Sequence, residues 1–252
     1  MELIDTHCHL FYKNLKNELD GVLDRAAELN VNRFICIGTN LEDSQECLEL
    51  AEQHDTIYAA AGVHPHDAKD SPEDFIDQIT DLMTSDQMVA VGEMGLDYFR
   101  NISDPEIQKK VFRKQMALAQ ELKKPVIFHN RDADKDVIQV LSEFPDVTGV
   151  AHCFSSDLET ASTFLELGYY ISFSGNLTFK NSLLPNVAME LPLNKILVET
   201  DSPFLSPVPF RGKSNEPGRT YYVAEKLAEI HHVSIELIAE KTTENAEALF
   251  GI

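Results

Sequence analysis

Met1-Glu2-Leu3-Ile4-Asp5-Thr6-His7-Cys8-His9-Leu10 opens the chain as a short apolar run that ends in two histidines one residue apart. The run reads as a strand, and alternate residues on a strand point to the same side. At the strand's end His7 and His9 can therefore reach one ion together. Alone, a His-x-His pair is a short motif that also arises by accident. Its meaning depends on what stands at the ends of the strands that follow.

Outward from this stretch, apolar runs of strand length alternate with helical periodicity. Residues 33–38, 57–62, 88–92, 125–128, 148–151, 169–172 and 195–198 supply seven further strands. Between them, residues 18–30 carry Leu19, Val22, Leu23, Ala26 and Leu29 at helical spacing, and residues 41–54 do the same with Leu41, Leu48 and Ala51. Ser71-Pro72-Glu73-Asp74 reads as a helix start, with a capping serine, proline in the first turn and acids at the positive end of the dipole. Asp104-Pro105 caps a long helix to Lys123, with Ile107, Val111, Leu118 and Leu122 as its inward stripe. Further helices carry Val137, Ile138 and Leu141, then span 157–167, 183–190, 218–231 and 234–250.

The strands are continuously apolar rather than alternating, as in sheets buried on both faces. Eight such strands in 252 residues predict an α/β protein of one domain, a (β/α)8 TIM barrel over residues 1–252. The alternative is an open, doubly wound sheet. It lacks support from a G-x-G-x-x-G turn after the first strand.

No apolar stretch approaches the roughly 20 residues needed to span a bilayer. No basic flank followed by an apolar segment marks a secretory signal. Cys8, Cys36, Cys47 and Cys153 form no C-x-x-C pair and read as reduced thiols, so the expected compartment is the cytoplasm. The formal net charge of −21 argues against broad coating of duplex DNA, which needs a cationic surface. It leaves room for a small site that holds phosphate through metal ions.

Barrel enzymes carry their sites at the carboxyl ends of the strands. There the sequence places His7 and His9, Glu93, His129, His152 and Asp201, on strands one, four, five, six and eight. Six of the nine histidines, counting His64 and His66, stand at such ends. Any one of them alone reads as a core histidine, but the set reads as a metal site. Four histidines and two carboxylates exceed the needs of one tetrahedral ion and suit two divalent ions (Mg, Mn or Zn) that share a ligand. A carboxylate bridges where a neutral imidazole cannot, so Glu93 is the expected shared ligand. His7, His9 and Asp201 complete one ion, and His129 and His152 the other. Such pairs, roughly 3.5–4 Å apart, clamp the attacking and leaving oxygens of a phosphoryl transfer. Asp201 is placed to accept the proton of the attacking water.

The blocks Asp5-Thr6-His7-Cys8-His9, Gly62-Val63-His64-Pro65-His66, Gly92-Glu93-Met94-Gly95-Leu96-Asp97-Tyr98, Pro125-Val126-Ile127-Phe128-His129-Asn130-Arg131, His152-Cys153-Phe154-Ser155, Glu199-Thr200-Asp201-Ser202-Pro203 and Arg211-Gly212-Lys213-Ser214-Asn215-Glu216-Pro217 stand in this order. In them the chain resembles the TatD family of metal-dependent deoxyribonucleases, of the amidohydrolase superfamily of barrels. The resemblance spans nearly the whole chain. It implies ligands at His7, His9, Glu93, His129, His152 and Asp201, and nuclease activity on DNA, commonly exonucleolytic from the 3′ end. Met94 stands where that family usually has isoleucine, and Ser214 where a basic residue is frequent.

Around the metals, Arg100, Arg131, Lys180, Arg211, Lys213 and Arg219 follow strands four, five, seven and eight, and can gather as local cations for a phosphate backbone. The alternative is ordinary mixed surface charge. His64, Arg131, Arg211 and Lys213 are the expected substrate-binding residues, with His64 outside the ligand set. Tyr98 and Phe99 offer rings for a base or for packing. Glu199 either orients a ligand or pairs a buried cation. Alternation turns Cys8 and Cys153 away from the site.

Two activities follow from this pattern. The first is a two-metal phosphodiesterase on DNA, single-stranded DNA being the expected substrate, with no membrane or obligatory protein partner. The second is an amidohydrolase-type enzyme acting on a small ester, amide or acyl-RNA. Related barrels of that kind often bridge their metals with a modified lysine on strand four. Glu93 stands there instead, which favours the first. A non-catalytic binding barrel is disfavoured, because buried acids and imidazoles without an ion are costly.

Overall fold

The apolar runs become eight parallel strands, β1 (Leu3–Cys8), β2 (Val31–Ile37), β3 (Ile57–Ala61), β4 (Met88–Asp97), β5 (Val126–Arg131), β6 (Gly149–Ala151), β7 (Tyr170–Phe173) and β8 (Ile196–Val198). A computed structural model describes all 252 residues. Each strand pairs with the next in chain order. Beyond the last pair the ends of β8 and β1 meet: the Thr6 hydroxyl donates to the Val198 carbonyl at 3.0 Å, and Asp201 N–H donates to the His7 carbonyl at 2.9 Å. Asp5 fixes this seam by accepting both the N–H of Thr200, at 2.9 Å, and its hydroxyl, at 2.5 Å. The seam is what brings His7 and His9, at one end of the chain, beside Asp201 near the other.

The helices are α1 (Lys13–Lys16), α2 (Leu19–Glu28), α3 (Leu41–Gln53), α4 (Phe75–Leu82), α5 (Pro105–Leu122), α6 (Asp134–Ser142), α7 (Leu158–Glu166), α8 (Leu184–Glu190), α9 (Thr220–His231) and α10 (Ile235–Phe250). None is long and apolar enough to cross a membrane. The hydrophobic core has two layers. A cluster of 58 buried residues lies mainly between strands and helices, and one of 12 fills the barrel, so most of the burial energy holds helices to the sheet. Ile4, Ile35, Ile37, Ile127 and Leu197 belong to the inner cluster together with Ala246, Leu249 and Phe250 of α10. The last helix therefore packs its apolar end against the barrel interior. The polar cluster occupies the opposite, carboxyl end of the strands.

Several expectations change. β4 and β5 run on through polar residues, to Asp97 and Arg131, because Gly95, Leu96 and Asp97 pair in register with His129, Asn130 and Arg131. Glu93 and His129 are thus strand residues, held more rigidly than a loop would hold them. The segment around Ser71 is not a helix start. The Ser71 hydroxyl donates to the Ala68 carbonyl at 2.8 Å, and α4 begins only at Phe75. Ile107 is 40% exposed. The buried stripe of α5 instead includes Gln108, Val111, Gln115 and Leu118.

Candidate metal centre

Glu93 sits in the middle of β4, 4% exposed, with imidazoles around its carboxylate. Its Oε2 lies 3.5 Å from His7 Nε2, and its Oε1 lies 2.9 Å from His152 Nε2 and 3.4 Å from His129 Nδ1. On the Oε2 side, Asp201 Oδ1 is 3.3 Å from His9 Nε2 and 3.9 Å from His7 Nε2. All six expected ligands are therefore brought together. They form a His7–His9–Asp201 group and a group about Glu93, with His7 in reach of both.

The hydrogen bonds behind the ligands decide which nitrogen faces the centre. His9 Nδ1 donates to the Ile37 carbonyl at 2.8 Å, leaving Nε2 for the site. His152 Nδ1 donates to Glu199 Oε1 at 3.2 Å, which also leaves Nε2. His129 turns the other nitrogen inward, because its Nε2 lies against Asp97 Oδ2 at 3.3 Å. Asp97 in turn holds His66 Nε2 at 2.8 Å and accepts the N–H of Arg100 at 2.7 Å. Gln108 holds Asp97 by its backbone, accepting its N–H at 2.8 Å and donating to its carbonyl at 3.2 Å.

His64 Nε2 also approaches Glu93 Oε1, at 3.4 Å, and geometry alone would admit it as a ligand. Its other nitrogen excludes that role in the neutral ring. His64 Nδ1 accepts the N–H of His66 at 3.1 Å, so the single proton sits on Nε2, facing Glu93. Burial pushes His64 down to about 4, which keeps the ring neutral. Its segment is fixed by Gln115, whose amide accepts the N–H of Val63 at 2.8 Å and donates to its carbonyl at 3.0 Å. Gly62 allows β3 to approach β4 here, since a Cβ would lie 2.6 Å from the carbonyl carbon of Gly92.

Two observations fit the donor set to divalent cations. Both ring nitrogens of His7 are buried without a hydrogen-bond partner. Such a group costs about 1–3 kcal/mol unless something else binds it. And the acids Glu93, Asp97, Glu199 and Asp201 face imidazoles and backbone N–H groups, with no lysine or arginine side chain paired to them. Burial opposes ionisation of Glu93, but His152 above all, with the rings hydrogen-bonded to the carboxylate, outweighs it and holds the carboxyl well below the usual range. Burial likewise opposes charge on His9, yet Asp201 lifts it to about 9. With the facing ring nitrogens deprotonated, as a bound cation requires, the imidazoles and carboxylate oxygens make a mixed N/O set suited to Zn, Mn or Mg.

A cavity of about 770 Å³ opens over these groups. Arg131 and Arg100 line it, with the Arg131 guanidinium 4.0 Å from the centre of the exposed Phe99 ring. Arg211, Lys213, Lys180 and Arg219 lie outside its lining. Arg211 stacks on Phe179, and Arg219 is tied to the Ser214 carbonyl at 2.6 Å and packs on Phe210. Tyr98 donates its hydroxyl to Asp136 at 2.6 Å and packs on the core rather than in the cavity. Cys8 is buried against the Ile35 carbonyl as expected. Cys153 is not turned away, because its positive φ of 44° breaks strand alternation and brings it into the cavity lining.

Asp5, Asp97, Gln108 and Gln115 received no role from the sequence. Their signal is faint but real: the two glutamines fall on the apolar stripe of a helix, where an unpaired amide would be costly.

Imidazoles and carboxylates gathered in this way at the carboxyl ends of a parallel barrel place the protein among the metal-dependent hydrolases. The model of the family described as TatD related DNase matches residues 4–251, and the chain belongs to that family. It is 45% identical to the metal-dependent hydrolase YabD of Bacillus subtilis (strain 168), over 99% of both chains. It is 32% identical to a Shigella flexneri protein described as 3′-5′ ssDNA/RNA exonuclease TatD, again over 99% of each. Among solved structures, the TatD homologue YjjV of Escherichia coli superposes with a TM-score of 0.94 at 32% identity, covering 99% of this chain and 98% of that one.

Proposed function

We propose that the protein hydrolyses phosphodiester bonds of single-stranded DNA, as a 3′-5′ exonuclease, with two divalent ions held between Glu93, His7, His9, His129, His152 and Asp201. The observation that carries this is the division of Glu93: Oε2 faces His7 on one side and Oε1 faces His129 and His152 on the other. Glu93 would therefore be the residue shared between two ions, with His7 on one side and His129 and His152 on the other. The name of the Shigella relative supports a nucleic-acid substrate.

When bound, such ions supply Lewis acidity to the phosphoryl group and lower the pKa of water. The chain's own residues do the rest. Asp201, with 15% of its side chain exposed, is the most open carboxylate of the cluster and accepts the proton of the attacking water. Arg131 meets the phosphate at the cavity wall. His64 turns Nε2–H toward Oε1 of Glu93, 3.4 Å away, and steadies that carboxylate. Glu199 and Asp97 fix the rings of His152 and His129. Arg211 and Lys213 lie farther out and serve the strand beyond the cavity.

The test is a defined single-stranded oligonucleotide carrying a 5′ label. Stepwise shortening with Mn²⁺ or Mg²⁺, and none in chelator, is the expected result. Turnover confined to small esters would overturn the proposal and favour the amidohydrolase alternative.

A further inference from the structure

Tyr12 and Phe204 are aromatic residues that the metal chemistry leaves unused. Both line the cavity, and their ring centres lie 5.9 and 6.2 Å from that of His9. Phe204 is 47% exposed and Tyr12 37%. One exposed ring would be ordinary, but two in contact that both line the cavity make a shared apolar surface at the edge of the centre. The two rings stand 5.5 Å apart with their planes at 84°, so together they form a right-angled corner. Phe204 is also fixed in place: its N–H donates to the Asp201 carbonyl at 2.8 Å, tying the ring to a metal-ligand residue.

We propose that this corner is a base-stacking subsite, which takes the base of a nucleotide flanking the phosphate under cleavage. The inference rests on the nuclease activity proposed above and adds a subsite to it. A flat π-system seated in the corner stacks on one ring and meets the other edge-on, the two favoured aromatic geometries. An aliphatic ligand gains nothing from the right angle. The base hangs one sugar from its phosphate, so a phosphate seated at the centre brings a base to rings about 6 Å from His9. Charge is divided to match. Lys69, Arg100 and Arg131 line the cavity and offer cations for the backbone, while the rings of Tyr12 and Phe204 carry no charge themselves. Stacking of this kind accepts every base, so the subsite confers a need for a base and little sequence preference. It also favours unpaired strands, whose bases are free to leave the helix stack.

The experiment pairs the protein with the substrate. Wild type, Phe204→Ala and Tyr12→Ala, each first checked for an unchanged Tm, are given single-stranded oligonucleotides. These carry either a base or a tetrahydrofuran abasic sugar at each of the two nucleotides flanking the first phosphate cut. In wild type, removing the base at one of these positions lowers kcat/KM roughly 5- to 150-fold. Phe204→Ala shows a similar loss on intact DNA and no further loss on the abasic strand, where it equals wild type. A second readout needs no turnover: in chelator, with binding saturated by anisotropy, 2-aminopurine at that position is quenched by wild type and not by Phe204→Ala. Losses that multiply at both positions, or intact DNA cut by Phe204→Ala as fast as by wild type, overturn the subsite but leave the nuclease activity standing. Wild type that cuts no DNA removes both.

Discussion

His152 and Glu199 form a buried pair in which Nδ1 donates to Oε1 at 3.2 Å, while the same ring's Nε2 lies 2.9 Å from Glu93. Glu199 also accepts the N–H of Cys153 at 2.8 Å, so it holds both the ring and the backbone beneath it. A single carboxylate thus holds Nδ1 and sets the angle of a candidate metal ligand. Glu199→Gln keeps the shape and removes the charge. It should weaken metal binding about 10- to 100-fold. Competition with a coloured chelator measures this directly, and unchanged affinity would show that Glu199 has only a packing role.

Glu93 carries more. Glu93→Ala removes the oxygens that face both halves of the site, and several kcal/mol of transition-state stabilisation should go with them. We expect kcat to fall about a thousandfold or more, and bound metal to drop below two ions per chain. Metal analysis beside single-turnover kinetics decides it. Full metal content with full activity would remove Glu93 from the centre.

Metal should also stabilise the fold. The centre gathers ring nitrogens without partners and acids without lysine or arginine neighbours. At a cation concentration 100 times Kd, mass action adds about 2.7 kcal/mol. For a chain of this length that raises Tm by about 5–10 °C. Calorimetry with chelator and with Mn²⁺ or Zn²⁺ gives the difference, and identical curves would contradict a preformed site.

Gln115 is the clearest structural lesion. Its amide satisfies both the N–H and the carbonyl of Val63, and all these groups are buried. Gln115→Leu leaves two backbone groups unpaired, at about 1–3 kcal/mol each. We expect a loss of about 2–4 kcal/mol in urea unfolding. Activity should also drop at temperatures where the protein remains folded, because His64 follows Val63 directly. A stability loss with unaltered kcat would separate the clamp from the site.

Much of the site was legible from the chain. Continuously apolar strands, five of them leading to a candidate ligand histidine or acid, set a parallel sheet buried on both faces and the six ligand candidates, and the count of eight with no G-x-G-x-x-G turn set the barrel over the open sheet. Polar strand residues were less legible. Glu93 and Asp97 belong to β4, but their composition reads as loop, because their strand character comes from pairing with β5. The start of α4 was misplaced for a related reason: Ser71 carries capping chemistry, but its hydroxyl is engaged by the preceding turn.

The sequence by itself determined the kind of protein: which residues are candidate ligands, at the ends of which strands, and in what order around the barrel. That information is local, written in the period of burial and in the chemistry of each strand's last residues. Only the tertiary structure decided that Glu93 divides its oxygens between two groups, that His64 turns its protonated nitrogen toward Glu93 while Glu199 engages Nδ1 of His152, and that Tyr12 meets Phe204 at a right angle. Each depends on hydrogen bonds or ring contacts between residues far apart in the chain. The direction of a side chain is set by those partners, which no neighbouring residue in the sequence specifies.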